Sequence, residues 1–134
     1  MEDWQYALLR KPRSKYKAKK VVLDKKTFDS RLEAKEWAVL CERQRIGEID
    51  ELARQVSFPL IPTRKYVDET VRGCKYVADF VYNDKKLGWV VQDTKGYLTA
   101  EYKVKKKIFL EKYVWTGKFV FIESGSQKKI YKKI

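Results

Sequence analysis

The chain has 134 residues, enough for one domain with a modest core, and its 44% hydrophobic and 14% aromatic content excludes wholesale disorder. A net charge of +13 points to a polyanionic partner, nucleic acid before an anionic membrane surface. The absence of histidine excludes imidazole as acid, base or metal ligand, and Cys41 and Cys74 lack metal-ligand spacing, so any hydrolytic chemistry falls to carboxylates, lysine and tyrosine.

Residues 1–20 end in a basic run in which Arg10, Lys11, Arg13, Lys15, Lys17, Lys19 and Lys20 crowd together. Such a block predicts a solvated arm that a phosphate backbone would attract, and Lys15, Lys17, Lys19 and Lys20 are candidate nucleic-acid contacts. No internal repeat or Gly/Ser linker follows, which predicts a single domain over residues 21–134. No apolar run is long enough to span a bilayer, and the N-terminus lacks the apolar core of a signal peptide. The expected location is therefore cytoplasmic, with both cysteines reduced.

Asp29-Ser30 predicts the start of a helix running to about Arg45, with Gly47 as its stop. Ala34, Trp37, Ala38 and Cys41 form its apolar stripe, and Glu33 lies at the edge of that stripe. Ser30-x-x-Glu33 reads equally as a capping box or as a glutamate reserved for a metal site. Leu52 to Pro62 alternates as a strand, which Pro59 and Pro62 push towards a sheet edge. Residues 75–82 and 89–95 read as two further strands joined by a turn. Thr99 opens a second helix reaching Tyr113, and Phe119 to Ile122 is a last strand before a lysine-rich tail. On that second helix Lys103, Lys106 and Lys107 are candidate phosphate contacts.

The most informative segments are Tyr76-Val77-Ala78-Asp79-Phe80 and Trp89-Val90-Val91-Gln92-Asp93-Thr94-Lys95-Gly96. Each strand carries an acid where a buried strand favours apolar residues, and Lys95, two positions beyond Asp93, leaves on the same face. Two carboxylates and an ammonium on one sheet suit a hard divalent cation such as Mg²⁺ or Mn²⁺. The alternative is a structural ion pair. Register tests the idea. If Tyr82 paired with Leu87 the two acids would lie on opposite faces, whereas pairing Asn83 with Trp89 sets Asp79 across from Asp93. Gly88 is suited to supply that irregularity.

Taken in order, Glu33, Ala78-Asp79 and Asp93-Thr94-Lys95 resemble the motifs of the PD-(D/E)xK, or restriction-endonuclease-like, nuclease superfamily. With Tyr16-Lys17-Ala18-Lys19 and Phe28-Asp29-Ser30, they look like a small phage-encoded branch grouped with Holliday-junction resolvases. Gln92 departs from the pattern, standing where a glutamate would be familiar. The resemblance implies an α/β fold with a mixed central sheet flanked by helices, in the order α-β-β-β-α-β. It implies Glu33, Asp79, Asp93 and the Thr94 carbonyl as ligands of Mg²⁺ (or Mn²⁺), and Lys95 as base or electrostatic helper. It also implies a DNA endonuclease, structure-specific for branched or duplex DNA, assembled as a homodimer and acting in the host cytoplasm if phage-encoded. A non-catalytic nucleic-acid-binding module on a degenerate nuclease fold is the competing reading. A membrane-surface protein fits poorly, since no helix joins a lysine face to an exposed apolar face.

Overall fold

The computed structural model describes residues 21–23, 26–28, 30–95, 98–125 and 127–134. The basic arm expected over residues 1–20, with Lys15, Lys17, Lys19 and Lys20, lies outside the described residues, as do Gly96 and Tyr97.

A short antiparallel pair, β1 (Val21–Leu23) and β2 (Lys26–Phe28), precedes helix α1 (Arg31–Arg45). Ser30 caps α1 as the sequence leads one to expect: its Oγ accepts the Glu33 amide at 3.1 Å. Beyond the helix, Gly47 takes φ 87°, a left-handed conformation that glycine adopts without Cβ strain. β3 (Ile49–Ile61) follows, then a small ribbon of β4 (Arg64–Lys65) and β5 (Thr70–Val71). β6 (Cys74–Asp84) and β7 (Gly88–Thr94) lead into α2 (Ala100–Phe109), which ends in a π-helical turn at Leu110–Val114. β8 (Val120–Ser124) and β9 (Lys129–Tyr131) complete the described chain.

Five strands form one mixed sheet in the order β3-β6-β7-β8-β9. Only β7 and β8 run parallel, and α2 is the crossover that parallel neighbours require. β3 is an edge strand, which accommodates Pro59 without cost to a central ladder. The fold is thus mixed α/β with a helix packed on each face. The expected order α-β-β-β-α-β needs correction by addition. The β1–β2 pair, the β4–β5 ribbon and β9 all flank or interrupt it. β9 forms inside the lysine-rich tail because Tyr131 packs against Phe121, at 5.8 Å between ring centroids.

Each face has its own core. α1 covers Phe80, Tyr82, Val90 and Ile122 with Ala34, Trp37 and Leu40. α2 and its π-helical turn cover Val56, Phe58, Tyr76, Ala78, Val81, Val91 and Phe121. Tyr76 and Ala78 therefore face α2, whereas Phe80 and Tyr82 face α1, so the strand's alternation slips at Asp79. On the neighbouring strand Gln55 lies between the Arg54–Phe80 and Val56–Ala78 pairs and has a φ of 55°. A non-glycine residue in the left-handed region is strained by about 1–3 kcal/mol, so surrounding contacts must hold it there. The slip brings Tyr76 onto the α2 face, where its hydroxyl reaches Asp93.

Phe109 is fully buried and its ring lies 5.1 Å from those of Phe58, Tyr76 and Tyr113, and 5.5 Å from that of Phe121. Phe109→Ala is expected to destabilise the protein by ~3–5 kcal/mol. Trp115→Ala, at a half-exposed ring, should cost far less. Urea denaturation midpoints of the two variants check the difference.

Candidate active site

The turn between β6 and β7 decides where the acids meet. Asp84 Oδ1 accepts the amides of Lys86 and Leu87 at 2.8 and 3.1 Å, while Arg43 Nη2 donates to Asp84 Oδ2 at 2.8 Å. Gly88 closes the turn with φ 80°. The ladder then pairs Asp84 with Gly88, Asn83 with Trp89 and Phe80 with Gln92. One step further on, that register sets Asp79 opposite Asp93. It is the pairing that a shared site demands.

Asp79 Oδ2 accepts the Thr94 amide at 2.8 Å, so the acid of one strand is tied to the backbone beside the acid of the next. Burial, then the Asp93 charge and a carboxyl–carboxyl hydrogen bond with it, push Asp79 well above the usual carboxylate range; Glu33 adds to the rise and Lys95 opposes it. Asp93 is fully buried. Its Oδ2 accepts from the Tyr76 hydroxyl and lies 3.2 Å from Lys95 Nζ. Burial works against the Lys95 charge, but Asp93, Asp79 and Glu33 together raise its pKa above the ordinary lysine value. The ammonium also sits 4.6 Å from the centre of the Tyr102 ring. Lys95 is held in the protonated form.

Glu33, buried on the first turn of α1, accepts from Gln55 Nε2 at 2.8 Å. The strained backbone of Gln55 thus aims an amide at the third acid. Among the described residues, however, no three His, Cys, Asp or Glu side chains cluster closely enough to hold a metal ion. Glu33 acts on Asp79 and Lys95 electrostatically, and the three expected ligands do not form a closed three-carboxylate cluster. Two buried oxygens mark the site: Thr94 Oγ1 lacks a hydrogen-bond partner, and Asp93 Oδ1 has no donor other than the neighbouring Asp79 carboxyl. Two buried carboxyls that share a proton, beside an unpartnered hydroxyl oxygen, are the donor chemistry a hard cation would satisfy on displacing that proton.

Glu123 was not singled out in the sequence, yet it pairs with Asp93 across the parallel ladder at the same sheet end. Its Oε2 accepts from Tyr102 Oη at 2.5 Å and from Lys106 Nζ at 3.1 Å. Burial alone would raise the Glu123 carboxyl, but these two hydrogen bonds and the Lys106 charge hold it below its ordinary value. Lys106 is accordingly a structural partner of Glu123, with a side chain only 15% exposed, rather than a free phosphate contact. Lys103 and Lys107 are exposed on α2, as a phosphate contact requires. Tyr102 is core, wedged between the Lys95 and Lys106 ammoniums. Lys95 is further fixed by its backbone. Its amide donates to Ser124 O at 2.8 Å, and a Cβ at Gly125 would stand 2.3 Å from its carbonyl oxygen.

A family profile described as "Protein of unknown function (DUF1064)" matches residues 13–125, a span that includes Glu33, Asp79, Asp93 and Lys95. No curated protein and no solved structure is a match for the chain.

Because Asp79 binds its proton more tightly folded than unfolded, the folded state holds more protons over that interval and stability falls as pH rises through it. The stabilisation is complete below the usual carboxylate range and is lost as pH climbs towards the raised folded value. Each unit of separation is worth ~1.4 kcal/mol. In metal-free buffer, Asp79→Asn should flatten this decline and raise the melting temperature at neutral pH. Thermal melts from acid to neutral pH check it.

Proposed function

The chain belongs to the DUF1064 family, and we propose that it is a Mg²⁺- or Mn²⁺-dependent endodeoxyribonuclease on a restriction-endonuclease-like fold. The observation that carries the reading is the pair Asp79 and Asp93, set opposite each other by register, with Lys95 on Asp93 and the Thr94 hydroxyl oxygen buried without a partner beside them. Two adjacent carboxyls in a buried setting ionise together only when a cation offsets their repulsion. Mg²⁺ commonly takes one or two protein carboxylates and fills its remaining positions with water and substrate phosphate, so an aspartate pair suffices. Asp79, Asp93 and the Thr94 carbonyl would hold the ion, with Glu33 adding negative charge from α1. A cation there would supply an activated water and electrostatic stabilisation of the phosphorane-like transition state.

The chain's own groups have separable tasks. The Thr94 amide orients Asp79, and the Tyr76 hydroxyl orients Asp93. Lys95, kept charged by three neighbouring acids, suits electrostatic stabilisation of the transition state better than proton abstraction. The acids stand at the carboxyl end of β7, next to parallel β8, where open α/β sheets bind ligands. The sequence of α1, three antiparallel strands, crossover helix and parallel strand supports the nuclease-like fold. The +13 charge and exposed Lys103 and Lys107 support DNA as the substrate. The resemblance to Holliday-junction resolvases adds a homodimer acting on branched DNA. That no three acids cluster at metal-binding distance among the described residues favours, as second reading, a non-catalytic DNA-binding module on the same fold.

Incubation with labelled junction, flap, single-stranded and duplex DNA separates the two. The nuclease reading expects Mg²⁺- or Mn²⁺-dependent cleavage that EDTA abolishes, a loss of at least ~100-fold in Asp79→Ala and Asp93→Ala, and retained binding in both. Salt-sensitive binding without metal-stimulated cleavage would establish the non-catalytic reading instead.

A further inference from the structure

We propose that the β4–β5 ribbon docks in the major groove of duplex DNA lying beside the aspartate pair, an inference that rests on the DNA-directed reading above. Every residue from 61 to 72 is exposed. The segment is nevertheless built. Arg64 pairs with Val71 and Lys65 with Thr70, and the Tyr66 amide donates to Glu69 O at 2.8 Å to close the tip. At the base, the Gly73 amide donates to Thr63 Oγ1 at 3.0 Å. A Cβ at Gly73 would stand 2.0 Å from Ile61 O, so glycine permits the close approach that sets the ribbon's exit from the sheet.

A two-stranded hairpin with no side chain in the core has little intrinsic stability to justify its exposed surface. What it displays is specific. Arg64, Lys65 and Arg72 line its shaft, Lys75 follows at its root, and none of the four forms an ion pair among the described residues. Tyr66 and Val67 stand out at the tip, 61% and 102% exposed. Asp68 and Glu69 also lie at the tip, where their charges would repel phosphates. The phosphate contacts therefore fall to the shaft, and the tip meets base edges, where an acid can accept a hydrogen bond from cytosine. Strands about 4.8 Å apart, with their side chains, make a ribbon ~10 Å thick. That matches a major groove ~12 Å wide and not a minor groove ~6 Å wide.

Position ties the ribbon to the site. It leaves the sheet at Cys74, five positions before Asp79 on β6. At ~3.3 Å per residue this is ~17 Å, or about five base pairs of a duplex. A duplex running along β6 with a phosphate at the acids would pass the ribbon within half a helical turn.

The test is the salt dependence of binding to a labelled duplex oligonucleotide, measured by fluorescence anisotropy in EDTA so that no cleavage occurs. The Arg64→Ala/Lys65→Ala/Arg72→Ala protein is compared with wild type and with Lys85→Ala/Lys86→Ala/Lys118→Ala, which removes equal charge from the other end of the sheet. The ribbon variant should lose about 2.7 from the slope of log K against log salt, at ~0.9 per phosphate contact, and the control much less. All three ribbon side chains are exposed, so its melting temperature should match wild type. Equal slopes in ribbon variant and wild type, or an equal loss in the control, overturn the ribbon's role while leaving the nuclease reading intact. A ribbon variant whose slope is unchanged but whose oligomeric state shifts in sedimentation makes the hairpin a self-association surface and overturns the proposal too. No DNA binding by wild type overturns both readings.

Discussion

The Asp84 carboxylate governs this structure more than any other single group. By accepting two successive amides and an arginine, it holds residues 85–87 as a three-residue loop, and the loop length sets the β6–β7 register. Side chains in a strand alternate, so a slip of one residue would send Asp79 and Asp93 to opposite faces. The same arginine belongs to α1 and also binds Glu48 at 2.9 Å, so the helix carrying Glu33 is anchored to the turn that aligns the aspartates. A contact at one end of the sheet thereby determines which side chains meet at the other.

Around the aspartates, burial and charge work against each other. Asp79 is forced towards its neutral form by burial and by Asp93, while Lys95 stays charged because the acids outweigh its desolvation. Tyr76 and Lys95 converge on one oxygen of Asp93 and leave the other with no donor but the Asp79 carboxyl. The neighbouring Glu123, Tyr102 and Lys106 form a second polar group in which the hydrogen bonds are complete. Adjacent strands thus carry one acid neutralised by a lysine and a tyrosine, and one that must share its pocket with a second carboxyl.

Much of the scaffold was legible because local chemistry and tertiary structure agree there. Ser30 and Thr99 cap helices, Gly47 and Gly88 take the positive φ that their positions call for, and the acids in β6 and β7 stood out against apolar runs. What could not be read depends on long-range pairing. Pro62 looked like the end of a strand, and the fully exposed ribbon beyond it has no hydrophobic alternation to announce strands. Tyr76 reads as an ordinary core aromatic until its hydroxyl is placed on Asp93. Glu123 drew no notice and Lys106 looked like a phosphate contact, since only the parallel β7–β8 register sets Glu123 beside Asp93 and only the packing of α2 brings Lys106 to it. The left-handed backbone at Gln55 has no signature in a sequence read alone, because glutamine is not a residue that such a conformation favours.

The contact between Gly125 and the Lys95 carbonyl has a bearing on how this protein can change. Any side chain there acts as a wedge between the ends of two parallel strands, prying the lysine's main chain away before it disturbs an acid. Freedom to vary at a bend thirty positions downstream is therefore surrendered to keep one ammonium in place, and a search for tolerated substitutions would find that loop far less permissive than its surface location implies.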